Sequence, residues 1–212
     1  MNISPFAFPL FGCFIIFILW FNYERRKHEK IEEKRDEDFW KREHDANFTR
    51  RKNLDAIEYI KIPYDSFPME KYADSETISQ SEIILLELKD KRILNLTGKT
   101  ATDIKLEYGA SNLSVLTEYD ENYILLVRTL QQYADALCTL GYTEDALPVL
   151  EYAISIGSDI KATYMLLADI YHQRGLYDKI SGLADNAQKL NSLMKQPIIN
   201  ALNELLSEHS PS

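Results

Sequence analysis

At 212 residues the chain has room for one modest domain with appendages. Seven glycines and seven prolines against plentiful Leu, Ile and Tyr argue against a turn-rich β sandwich and for helices. The formal net charge is −9, and residues 53–212 hold twenty-four Asp/Glu against thirteen Lys/Arg, a balance that repels phosphate backbones and disfavours nucleic acid as a partner.

The first element is apolar. Residues 1–21 carry no charged side chain, and Ile3–Tyr23 gives 21 uncharged residues centred on FAFPLFGCFIIFILWF. A helix needs roughly 20 apolar residues to cross a bilayer, so this run is expected to be a single transmembrane anchor over residues 1–23, contacting lipid through residues 3–23. Trp20 and Tyr23 sit where interfacial aromatics belong. A secretory signal peptide fits less well, because MNISP has no basic residue and LWFNYERRK no small-residue cleavage site. A buried core helix fits less well too, since the run is apolar on all sides. Arg25, Arg26 and Lys27 follow the run directly, so the positive-inside rule places the rest of a single-pass chain in the cytoplasm. Cys13 lies in this run and Cys138 far from it, which speaks against a disulfide between them.

Residues 24–58 form a charged neck. Its first part, ERRKHEKIEEKRDEDFWKREHD, places opposite charges at helical spacing, as in Arg26/Glu29, Glu33 with Lys30 and Lys34, and Asp38/Arg42. With no apolar stripe, it reads as a solvated helical spacer. An anionic-lipid contact through Arg25, Arg26, Lys27 and Lys30 is the sharper alternative, weakened by the interleaved glutamates.

Residues 59–112 read as an extended connector with one helix. Pro63 and Pro68 favour extended geometry before them, and Tyr64 and Phe67 offer contacts to a helical domain. Ser81–Arg92 reads as a helix, and Asn95–Ser111, with Gly98 and Gly109, as a loop. Residues 113–208 are expected to be a helical domain.

Within that domain the chain matches itself at a period of 34 residues. Thr129 matches Thr163, Ala134 and Asp135 match Ala168 and Asp169, Gly141 matches Gly175, Ala153 matches Ala187, and Ser158 matches Ser192. In the second copy Tyr164, Leu167 and Tyr171 build one helix face and Ala168 is small enough for close helix approach. Gly175 permits the turn, Tyr177 opens the next helix, and Ala184 and Ala187 keep it slim. The first copy offers Leu130, Tyr133, Ala134, Leu137, Gly141, Ala146, Leu150 and Ala153. Period and residue types resemble the tetratricopeptide repeat over about residues 119–192. The first copy departs from it at Thr143, where an aromatic is usual, and at Pro148, which should make the second helix start late or bend. Ser158 and Ser192 stand where a repeat-closing proline is usual. Pro197–Ser207 suits a closing helix through Ile198, Ala201, Leu202 and Leu205, and the helix near 81–92 could cover the first hairpin. The expected fold is therefore all-α, a short tetratricopeptide-like solenoid behind a single N-terminal transmembrane helix.

The resemblance implies a protein-binding role, an adaptor or scaffold gripping another protein or peptide. It places Arg128, Gln131, Asp135 and Thr139 of the first copy on the groove, with Ala162, Met165, Asp169, His172 and Gln173 of the second. The two aspartates favour a basic or neutral ligand. Catalytic signatures are missing from the sequence. His28, His44 and His209 lack metal-ligand spacing, and Gly98-Lys99-Thr100 lacks the earlier P-loop glycine, Ile93 standing there. No metal or cofactor is expected. Asn47, Asn95 and Asn112 open three-residue glycosylation patterns that also arise by chance. An enzyme with a site in 59–112, or an exported chaperone-like repeat protein, are the competing readings.

Overall fold

The structure is a computed structural model in which residues 7–207 are described, the side chains of residues 7–16 and of Ile31 excepted. The described residues form eight α-helices and no strand. These are α1 (Ala7–Asn47), α2 (Glu76–Glu87), α3 (Ala101–Tyr108), α4 (Leu113–Thr139), α5 (Thr143–Ser155), α6 (Lys161–Gln173), α7 (Tyr177–Gln188) and α8 (Lys195–Ser207). The all-α expectation stands. The membrane-spanning one does not.

Among the described residues no helix is long and apolar enough to cross a membrane. Residues 3–6 of the expected span lie outside the described residues. The uncharged start of α1, Ala7 to Tyr23, is 17 residues and runs without a break into charged sequence. Seventeen residues rise about 26 Å, short of the roughly 30 Å hydrocarbon layer. The single-pass placement, and the cytoplasmic side argued from Arg25–Lys27, are corrected with it.

The charged neck is the continuation of α1, and its end is not a free spacer. Ala46 is fully buried. Arg42 Nη2 lies 2.5 Å from Asp103 Oδ1, Lys105 pairs with Glu43, and Thr102 Oγ1 donates to Glu43 Oε2 at 2.7 Å. The neck's last turns are thereby fastened to α3. The expected pairing partners also change: Arg25 takes Glu29 at 3.4 Å, while Arg42 reaches α3 instead of Asp38.

Helix α3 lies where a loop was expected. Thr100 and Asp103 cap it reciprocally, each side chain meeting the other's backbone N–H. The capped turn lets eight residues form a helix between Gly98 and Gly109. With the start of α4, α3 encloses a small core of Leu54, Leu96, Ile104 and Leu116. Asn112, fully buried, staples this corner by donating to the carbonyls of Lys52 and Tyr108, both at 2.8 Å.

The connector lies on the helical domain through the expected residues. Phe67 is buried, the Tyr64 hydroxyl donates to Leu85 O at 2.6 Å, and the Tyr152 hydroxyl donates to Lys61 O at 3.0 Å. Helix α2 begins earlier than expected, at Glu76, and packs on α4 through Ile78, Ser81, Glu82 and Leu85.

Two antiparallel hairpins follow, α4 with α5 and α6 with α7. Their turns superpose in hydrogen bonding at a shift of 34 residues. Tyr142 N donates to Leu137 O (2.8 Å) as Leu176 N donates to Tyr171 O (2.9 Å). Gly141 N donates to Cys138 O (3.0 Å) as Gly175 N donates to His172 O (2.9 Å). Both glycines hold positive φ, 84° and 68°, the left-handed cap that closes a helix without a Cβ penalty. The hairpins also end alike: Ile160 N approaches Ser158 Oγ and Met194 N approaches Ser192 Oγ, at 3.4 and 3.1 Å. These serines do the turn-forming work for which a proline was missed. Pro148 neither delays nor breaks α5, which starts at Thr143 and runs through it.

Helix α8 starts 34 residues after α6 and has the same 13-residue length. Ile198 and Leu202, fully buried, occupy the places of Tyr164 and Ala168. It is therefore a third first-helix, closing the stack. The turn at 95–98 lies against both inter-hairpin loops. Asn95 Nδ2 donates to Ile156 O at 3.2 Å, and Gly98, with φ +80°, approaches so closely that a Cβ there would stand 2.2 Å from Asn191 O.

Candidate protein-binding face

Leu130, Tyr133, Ala134, Leu137, Ala146, Leu150, Ala153, Tyr164, Leu167, Ala168, Tyr171 and Ala187 are buried. Gly141 and Gly175 lie exposed in the hairpin turns, and so does Tyr177 at the start of α7. Its ring is 40% exposed and meets His172 edge-on, centroids 5.7 Å apart. It opens α7 at the surface because the hairpin turn, not the core, lies beside that position.

The groove residues fall on α4 and α6 and divide into three environments. Arg128, Asp135, Thr139, Ala162, Asp169 and Gln173 are exposed. Gln131 is half-buried and accepts a hydrogen bond from Thr163 Oγ1 at 2.6 Å, so it joins the two hairpins. Met165 packs against the core, and His172 is turned towards Tyr177. Arg128 lines a recess with Asp120, Tyr123, Ile124, Asp159 and the 96–99 segment. Asp135 and Thr139 line a different one, with Ser75 and Thr77 from the start of α2. The face is thus continuous along the helices but has two separate hollows. The second is built partly by α2, which the repeat pattern could not reveal.

Electrostatics are organised around contacts between elements. Asp145 at the start of α5 accepts from Lys71 Nζ at 2.6 Å and from the Tyr72 hydroxyl. The Lys71 hydrogen bond, then that of Tyr72, holds its carboxyl below the usual range. Tyr72 also stacks on Tyr142, with centroids 3.8 Å apart. The Tyr171 hydroxyl donates to Glu151 Oε1 at 2.6 Å, and Arg174 reaches Glu144 at 2.5 Å, linking the hairpins. Burial, then the Asp135 charge, pushes the Cys138 thiol up.

Several polar residues of 59–112 join elements of the fold. Besides Asn95 and Asn112, Glu82 accepts from the Glu70 backbone and from Tyr133. Asn47, Asn95 and Asn112, which open the glycosylation patterns, all have their side-chain amides engaged within the fold. Among the described residues no three His, Cys, Asp or Glu are placed to hold a metal ion. No family model, no curated protein and no solved structure matches this chain.

Proposed function

We propose that α4–α8 works as a protein-binding platform of tetratricopeptide type, without chemistry of its own, and that its ligand is a basic or neutral segment of another protein. The observation that carries this reading is the 34-residue repetition of the hairpin turn: the same pair of hydrogen bonds at Gly141 and at Gly175, with α8 beginning in the same register. Repeating units that stack this way present the first helix of each on one shared surface. Here that surface carries Asp135 and Asp169 at equivalent positions, both exposed. Within 59–112 the side chains of Glu82, Asn95 and Asn112 are engaged in contacts between elements, which supports a binding role over a catalytic site built on them.

The test is a fluorescence titration of the full chain with three peptide pools of equal length, basic, neutral and acidic. Basic or neutral peptides should bind more tightly than acidic ones. Reversing both charges, Asp135→Lys with Asp169→Lys, should weaken basic binding, and the loss should shrink as salt is raised. Unchanged affinity in a folded double variant would remove the assignment of this face.

A further inference from the structure

Helix α1 sorts its charges in a way its sequence conceals. From Phe17 to Lys41 the described side chains are mostly exposed, because the body takes hold of the helix only near Arg42–Asn47. Trp20, Tyr23, Lys27, Lys30 and Lys34 recur at alternating spacings of three and four, so they share one face. Arg26 flanks them, and a shallow hollow runs along Tyr23, Arg26, Lys27, Lys30 and Lys34, with Arg35 and Asp38 at its far end. Glu29, Glu32 and Asp36 fall on the opposite side, Glu24 and Glu33 border the stripe, and Glu37 and Asp38 close its face beyond Lys34. Arg25 pairs with Glu29 on that side, at 3.4 Å. Arg26, Lys30 and Lys34 have no acidic partner within 4 Å among the described residues. From Trp20 to Lys34 the stripe itself holds no acidic residue, and of its lysines Lys27 has an acidic neighbour, Glu24 at 3.8 Å.

We propose that this stripe rests along an anionic lipid surface, α1 lying on the surface rather than crossing it. Three observations select lipid over other anions. The stripe begins in exposed apolar and aromatic residues, Leu19 (64% exposed), Trp20 (58%) and Tyr23 (68%), which suit the boundary between headgroups and acyl chains. The four cations follow on the same face at headgroup depth, where Lys and Arg extend towards phosphates. A nucleic acid would satisfy the cations but leave Leu19 and Trp20 in water. The acidic body does not cancel the attraction: Lys34 to Arg42 is eight residues of helix, about 12 Å, beyond the screening length of roughly 8 Å at physiological salt.

The experiment uses the full chain with vesicles of phosphatidylcholine alone or with about a third phosphatidylglycerol. Binding is read by flotation and by the emission of Trp20 in a Trp40→Phe background. Partition should favour the anionic vesicles, weaken with salt, and fall on the order of a hundredfold in Arg26→Glu/Lys30→Glu/Lys34→Glu. The opposite-face variant Glu32→Gln/Asp36→Gln should bind as the parent does. Unchanged helical circular dichroism keeps a loss of binding from being a loss of fold. Equal partition into neutral and anionic vesicles, no effect of the triple reversal, or binding to a single-stranded oligonucleotide but to no vesicle would each overturn the proposal.

Discussion

The hydroxyl of Tyr133 on α4 donates to Glu82 Oε1 on α2 across 2.9 Å, and both side chains are buried. The bond ties the segment before the repeats to the first hairpin. Tyr133→Phe removes the donor and leaves a buried acceptor behind, so the full chain should lose about 1–3 kcal/mol of stability in urea unfolding. Tyr164 is the contrasting case. Its hydroxyl is equally buried but has no hydrogen-bond partner among the described residues. Tyr164→Phe should be neutral or stabilising, and a loss as large as that of Tyr133→Phe would refute the distinction.

Buried phenols set an alkaline limit. Burial raises Tyr164 to about 12 and pushes Tyr123, Tyr133, Tyr152 and Tyr171 well above their ordinary range. A raised folded value means that the neutral form is favoured in the fold. Stability should therefore be complete below about pH 10, the ordinary tyrosine value, and be lost progressively above it. Phenolate absorbance and helical circular dichroism, followed together, should change in one transition. Full ionisation with the helices intact would contradict the burial.

Asp145 works in the opposite direction. Its depressed carboxyl is ionised in the fold, so the contact with Lys71 and Tyr72 is complete above the ordinary carboxylate value of about 4 and lost as pH falls through the depressed one. Asp145→Asn should loosen the 61–75 strap at neutral pH while α4–α8 stay folded. Limited trypsin digestion would show faster cleavage after Lys71, and an unchanged rate would mean that Phe67 and the Tyr64 and Tyr152 hydrogen bonds hold the strap without Asp145.

The glycines should rank by surroundings. Gly141 and Gly175 have open space where a Cβ would stand, so alanine there meets only the strain of positive φ, about 1–2 kcal/mol. Gly98→Ala adds a collision with the Asn191 backbone and should cost clearly more. Ala168, fully buried, should tolerate tryptophan no better: Ala168→Trp is expected to cost about 1–3 kcal/mol or more by overpacking. Thermal unfolding of the four variants gives the order.

The periodic part of the molecule was legible because its signals are local. Gly141, Gly175, Ala134 and Ala168 each satisfy a rule of turn or helix geometry at a fixed spacing. The Thr100/Asp103 cap was equally local, but the glycines around it drew attention to a loop. Contacts at long separation left no such trace. Nothing in Arg42 predicts Asp103, nothing in Tyr133 predicts Glu82, and the hollow beside Asp135 exists only because α2 folds back onto α4. Hydropathy of the N-terminal run overstated its reach, since length within one helix, not apolarity alone, decides whether a bilayer is crossed.

The small turn at residues 95–98 has a mechanical consequence. A row of hairpins joined only neighbour to neighbour is elastic, and its curvature follows whatever pulls on it. By touching the loop after α5 through Asn95 and the loop after α7 through Gly98, this turn braces two joints at once. Prising one hairpin from the next would have to tear the brace from both. The stack should consequently behave as a rigid jig whose shape is set before any ligand arrives, and it should unfold as one body rather than peel from its end.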